Sequence, residues 1–196
     1  MTRTIGLLLA AGAGRRMGQP KALLEDADGV PWVVRAARVL SAGGCEEVVV
    51  VIGAAADEAR ALLRDEPVTV TVTVALDWAA GMGSSLRAGL NAIADSKADA
   101  AIVHLVDLPD VGPDVVRRML TRSAAAVLAR AAYGRGPGHP VLLGRDHWNA
   151  IAQECAGDAG ARAYLARHIV DQIDCSDLAT GVDIDEPGAN VPKLGQ

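Results

Sequence analysis

Apolar residues along this chain gather in short runs, separated by stretches rich in glycine and proline. The first run, Thr4 to Ala10, is apolar at successive positions and is followed at once by glycines, which predicts a strand buried on both faces. Val33, Val34, Ala37 and Leu40 recur at helical spacing and predict a helix over Pro31 to Leu40, stopped by Ala42, Gly43 and Gly44. Glu47 to Ile52 is a second buried strand, ended by Gly53, and Asp57 to Arg64 a short helix. Val68 to Leu76 alternates valine and threonine, the pattern of a strand with one wetter face at a sheet edge. Leu86, Leu90 and Ile93 stripe a helix for which Ser84 is a suitable N-cap. Ala100 to Val106 reads as the most buried strand, and Pro113 to Thr121 as a helix with proline at its first position. Ala124 to Ala132 returns as a strand, Tyr133 to Gly138 as a glycine-rich turn, and Gly157 to about Arg167 as a helix. Strand, loop and helix alternate, which points to an α/β sheet with right-handed crossovers.

Composition narrows the class. A chain of 196 residues with 51% apolar content suffices for one sizeable domain. Net charge −5 and a pI near 5.3 argue against nucleic acid as the main partner. No N-terminal stretch combines a basic start, a long apolar core and a cleavage site, and no apolar run reaches the roughly 18 residues of a membrane span, so a soluble cytoplasmic protein without membrane contact is expected. Cys45, Cys155 and Cys175 are odd in number and far apart, which suits neither a disulfide framework nor a zinc site.

The candidate chemistry begins directly after the first strand. Gly12, Gly14 and Gly18 open the backbone, Pro20 breaks any helix, and Arg15, Arg16 and Lys21 concentrate positive charge in an acidic chain. Such a loop suits a phosphate-rich ligand. It is not a P-loop, because Gln19 stands where lysine is needed after Gly18. It is a poor dinucleotide loop, because Met17 occupies the third glycine position. Gly81, Gly83, Ser84 and Ser85 precede or open a helix, and either cap it or seat a polar ligand. Asp107 ends the most buried strand, with Pro109 preventing continuation, so it either caps a turn or faces the ligand crevice as a hard oxygen donor for magnesium. Asp110 reads as a surface or capping residue and His104 as a satisfied core histidine. Near the C-terminus, alternation puts Asp183 and Asp185 on one face of a short strand.

Leu9-Ala10-Ala11-Gly12-Ala13-Gly14-Arg15-Arg16-Met17-Gly18, followed by Pro20-Lys21, resembles the signature of the MobA-like NTP transferase family, which activates sugars, alcohols and pterins with a nucleoside triphosphate. Trp78 with Gly81 to Leu86, and Gly138 to Leu143, resemble the molybdopterin (molybdenum cofactor) cytidylyltransferase branch. Gly157 to Arg162 and Asp183 to Pro187 match further family segments, so the resemblance spans roughly residues 4 to 187. The fold it implies is a single doubly wound (Rossmann-like) α/β domain with a mixed, mostly parallel sheet, of the nucleotide-diphospho-sugar transferase type. Residues up to about 110 would bind nucleotide, and residues from about 111 to 196 the acceptor.

The resemblance also implies roles. Arg16 and Lys21 would be catalytic, holding the triphosphate and stabilising the leaving pyrophosphate. Leu9, Ala10, Ala11, Gly12, Ala13, Gly14 and Arg15 would line the nucleotide, with Gly81, Gly83, Ser84 and Ser85 around the base. Asp107 would hold Mg2+, with either Asp183 or Asp185 completing the site and Asp185 the first choice. His139 would bind the acceptor phosphate, or else serve packing, and Arg162 would bind an anion at a helix start. Ala11 favours CTP over GTP, and the acceptor of first choice is molybdopterin. Two other classes stay open: a nicotinamide-dependent reductase of the nicotine blue oxidoreductase type, and a non-catalytic nucleotide-binding partner of a molybdenum hydroxylase.

Overall fold

The computed structural model describes residues 2–186. Pro187, the last residue of the C-terminal motif, lies outside the described residues. Seven strands form one sheet in the order β3-β2-β1-β4-β6-β5-β7. They are β1 (Thr4–Ala10), β2 (Glu47–Ile52), β3 (Val70–Val74), β4 (Ala100–Leu105), β5 (Leu128–Tyr133), β6 (Gly136–Gly144) and β7 (Asp171–Asp174). Strand β6 is antiparallel to both β4 and β5, and the remaining pairs are parallel. This is the mixed, mostly parallel doubly wound sheet that the resemblance implies.

Helices α1 (Trp32–Ala42), α2 (Ala56–Leu63), α3 (Met82–Ile93), α4 (Pro113–Leu120), α5 (Arg145–Glu154) and α6 (Arg162–Leu165) cover the sheet. Alternation along β1 splits the core. Leu8 and Ala10 pack with α1 and α4 on one face, while Ile5, Leu7 and Leu9 pack with α3 and α5 on the other. Successive strands run outward from β1 in one direction and from β4 in the other, so a crevice opens at the carboxyl ends of these two neighbours.

Several elements depart from expectation. Helix α3 begins at Met82 with Gly81 as its N-cap, so Ser84 sits inside the first turn and makes no cap hydrogen bond. The expected turn over Tyr133 to Gly138 shrinks to Gly134 and Arg135, and Gly136 already belongs to β6. Prolines are tolerated there because that half of β6 pairs only with β5, beyond the stretch that pairs with β4. The helix expected from Gly157 divides into a 3-10 turn, Gly157–Ala159, and the four-residue α6. Arg162 therefore does not stand at the start of a long helix. Asp183 to Asp185 is not a strand, and the Ile184 N–H donates to the Asp107 carbonyl at 3.0 Å.

Candidate active site

The crevice is built from the loops that leave β1 and β4. The tight loop after β1 requires a left-handed residue, and Gly14 supplies it at φ 59° where a side chain would run into the Gln19 carbonyl. Beyond Pro20 a 3-10 turn, Lys21–Leu23, tucks Ala22 into the core and turns Lys21 toward the end of β4. Lys21 Nζ donates to Asp107 Oδ2 at 2.7 Å and to Asp185 Oδ1 at 2.5 Å. Lys21 and Asp107 are mostly buried, whereas the Asp185 side chain is 45% exposed. Burial pulls the Lys21 ammonium down, but the two carboxylates outweigh it and hold Lys21 above the ordinary lysine value. Burial raises Asp107, with Lys21 opposing, while the Lys21 hydrogen bond lowers Asp185.

A cleft of about 360 Å³ faces this group, within the range of small-ligand sites. Leu9, Ala10, Ala11, Gly12, Ala13, Gly14, Arg15, Lys21, Gly81, Ser85 and Asp107 line it, joined by Trp78, Met82 and Asp158. Gly81 adopts φ 113°, where a Cβ would meet the Gly157 backbone and the Asp158 carboxylate, and this bend aims the start of α3 into the cleft. Ser85 is 5% exposed and lines the cleft. Arg16 and Asp185 lie in an adjoining recess with Lys21, and Arg16 Nη1 reaches Asp185 Oδ2 at 3.4 Å.

Two of the candidates expected around the nucleotide lie off the cleft wall. Gly83 packs against the Ala156 backbone, and Ser84 lies away from the lining. His139 and Arg162 line a separate cavity of about 110 Å³ behind Met82, together with Arg130. His104 is buried but not satisfied, because its Nδ1 has no partner among the described residues. Asp110 is half-buried, and its Oδ2 accepts from the Thr180 N–H at 2.6 Å and hydroxyl at 2.5 Å. Trp78 and Asp158 belong to segments that resemble the family without carrying a predicted role, and Arg130 gives only the signal of one cation in an alanine-rich strand.

The Lys21 group also tests whether a divalent ion fits. Asp107 Oδ1 is buried without a hydrogen-bond partner, and Asp185 lies within reach of the same ammonium. Two carboxylates beside a glycine-rich, cationic loop are a suitable donor set for a hard divalent ion, which takes few protein ligands when phosphates complete its shell. No group of three or more His, Cys, Asp or Glu side chains that could hold a metal occurs among the described residues. No described helix is long and apolar enough to cross a membrane.

Comparison with known proteins matches residues 6–173 to the MobA-like NTP transferase domain. Nicotine blue oxidoreductase of Paenarthrobacter nicotinovorans is 42% identical over 190 residues, covering 92% of this chain and 91% of that protein. Molybdenum cofactor guanylyltransferase of Rhodobacter capsulatus is 34% identical over 159 residues, covering 76% and 67%. Among solved structures, Rv0371C of Mycobacterium tuberculosis H37Rv in complex with manganese superposes with TM-score 0.73 at 27% identity, over 93% of this chain and 94% of that one. A nucleotidyl transferase from Methanothermobacter thermautotroptrophicus superposes with TM-score 0.78 at 22% identity, over 95% and 93%, a likeness of fold alone.

Proposed function

This chain belongs to the MobA-like NTP transferase family, and we propose that within it the chain transfers CMP from CTP to a phosphorylated acceptor, with molybdopterin the first choice, releasing pyrophosphate. The observation that carries this reading is the convergence of the glycine loop, the start of α3 and the Lys21–Asp107–Asp185 group on one cleft. An oxygen of the acceptor phosphate attacks the α-phosphorus, the bond to the bridging oxygen breaks, and pyrophosphate leaves with the electron pair. Such a reaction needs positioning and charge neutralisation more than covalent help.

Backbone N–H groups from Ala11 to Gly14 hold the triphosphate, and Lys21 and Arg16 meet the charge that develops on the leaving group. Ser85 offers its hydroxyl to the base. Asp107 and Asp185 would hold Mg2+, which when bound supplies further neutralisation of the phosphates. Residues up to about 110 serve the nucleotide and the later ones the acceptor.

The relative named nicotine blue oxidoreductase favours a second reading, a nicotinamide-dependent reductase. Two features count against it. Met17 replaces the third glycine, and β2 is followed by Gly53, Ala54 and Ala55 rather than an acidic residue for a ribose. The third class, a nucleotide-binding partner of a molybdenum hydroxylase, would have no use for the assembled Lys21 group.

Calorimetry with CTP, GTP and NADH, paired with pyrophosphate release across nucleoside triphosphates and acceptors, separates these readings. CTP binds more tightly than GTP, and Ser85→Ala narrows the gap by about 1–2 kcal/mol. Preference for GTP moves the chain to the guanylyl branch. Tight NADH binding without a CTP signal ends the transferase reading.

A further inference from the structure

Behind the nucleotide cleft, the cavity of about 110 Å³ shares Leu9, Met82 and Asp158 with it. Its walls are apolar side chains of α3, β4, β6 and α6, and no serine, threonine, asparagine or glutamine lines it. Its polar lining is Arg130 from β5, His139 from β6, Arg162 from α6 and Asp158. Among the described residues neither Arg130 nor Arg162 forms an ion pair, and Arg130 Nε is buried with no partner. Burial and the nearby Arg162 charge pull Arg130 below the ordinary arginine value. Burial, with both arginine charges, lowers His139 to about 4, so its ring is neutral near neutral pH.

The chain satisfies its other partly buried arginines. Arg87 donates to the carbonyls of Ala152 and Cys155, and Arg145 to those of Ala98 and Ser96. Arg162 is exposed and Arg130 half-buried, and among the described residues Asp158, the acid in the same lining, forms an ion pair with neither; the unpartnered, buried Arg130 Nε is the costly group, since a buried polar group needs a partner. Among the arginines, the one whose buried nitrogen is left without a partner marks a candidate functional site. We propose that Arg130 and Arg162 form a subsite for the phosphate monoester of the acceptor, a reading that rests on the nucleotidyl transfer proposed above. Guanidinium forks match the oxygens of a tetrahedral dianion, and neutral His139 can donate one more hydrogen bond. With apolar walls and no hydroxyl or amide side chains, the cavity fits a phosphate carried on a flat or apolar body rather than on a sugar polyol.

Inorganic phosphate, titrated by calorimetry into protein saturated with CTP, reads this subsite with the glycine loop already filled. Titration into Lys21→Ala without nucleotide gives the same reading independently of CTP. One phosphate binds to the wild type, and Arg130→Met and Arg162→Met each weaken it at least about tenfold while CTP binding is kept. Arg130→Met also melts no lower than the wild type, because it removes an unpartnered charge, and phosphate raises the melting temperature of the wild type but not of the variant. Unchanged phosphate binding in both variants overturns the subsite, as does a lower melting temperature for Arg130→Met, which would make that arginine structural. Acetate binding as tightly as phosphate overturns the phosphate assignment. Absence of CTP binding, with phosphate still bound through Arg130 and Arg162, removes the nucleotide reading and leaves the subsite standing.

Discussion

Lys21 holds together two carboxylates that would otherwise repel. Read as an exposed loop lysine it would matter little to folding, but its side chain is only 15% exposed and touches both Asp107 and Asp185. Lys21→Ala leaves Asp107 buried without a counter-charge, which lies between the cost of a surface pair and that of a broken buried one, roughly 1–3 kcal/mol. Adding Asp107→Asn to Lys21→Ala removes the stranded charge and recovers part of that loss, so denaturant unfolding of the four proteins yields a coupling energy. Turnover behaves differently. Lys21→Ala slows it by roughly 10²- to 10³-fold, and Asp107→Asn does not restore it. A Lys21→Ala protein of normal stability and near-normal turnover contradicts both parts. The sequence exposed Lys21, Asp107 and Asp185 because each follows a glycine loop, a buried strand or an acidic alternation. It hid Arg130, because what surrounds a lone arginine in β5 depends on β6 folding back beside it.

Between β7 and the acidic end of the chain, one segment crosses the carboxyl ends of the strands and delivers Asp185. Asp110 staples it through Thr180, the Ile184 N–H is bound by the Asp107 carbonyl, and the Tyr133 ring fills the space beside Gly181. Asp110→Ala cuts the staple without touching the sheet. The divalent-ion concentration for half-maximal activity then rises roughly tenfold, as for other groups that orient metal ligands, while turnover at saturating metal is largely kept. Metal titration of activity checks this, and an unchanged midpoint would show that Asp110 does not position Asp185. At this scale the apolar runs β1, β2 and β4 and the alternating β3 were legible because each is read from its own residues. Strand β7 escaped because Asp171–Asp174 is a polar, largely exposed edge, and the start of β6 because its prolines and glycines mimic a turn. Helix α5 carried a legible stripe, with Trp148, Ile151 and Ala152 buried at helical spacing, that was not among the predicted elements.

Charge is distributed unevenly over the whole molecule. The chain is acidic, net −5, yet Arg15, Arg16 and Lys21 gather at the cleft and its adjoining recess, with Arg130 and Arg162 at the neighbouring cavity, an arrangement that favours anions at this end. The opposite feature lies inside the sheet, where His104 is 1% exposed, its Nδ1 without a partner. Burial, with the charges of His139 and Arg35 adding, lowers His104 from 6.5 to about 3. The folded protein therefore keeps this ring neutral at pH values where the unfolded chain takes up a proton. Stability is fully present above the unfolded value of 6.5 and is lost as pH falls from there toward about 3. Each unit inside that window costs about 1.4 kcal/mol, so between pH 7 and pH 5 this one histidine removes about 2 kcal/mol, and His139, lowered to about 4, acts in the same direction. Most carboxylates titrate below pH 5, which leaves the upper part of the window to the histidines. His104→Leu takes away the proton-binding group and the unpartnered nitrogen together. Its unfolding free energy at pH 8 stays within about 1.5 kcal/mol of the wild type, as for a near-isosteric core exchange, while its decline from pH 7 to pH 5 is about 2 kcal/mol shallower. Urea unfolding of both proteins at half-unit steps measures the two slopes, and equal slopes would mean that His104 is already protonated, or hydrated, inside the folded sheet.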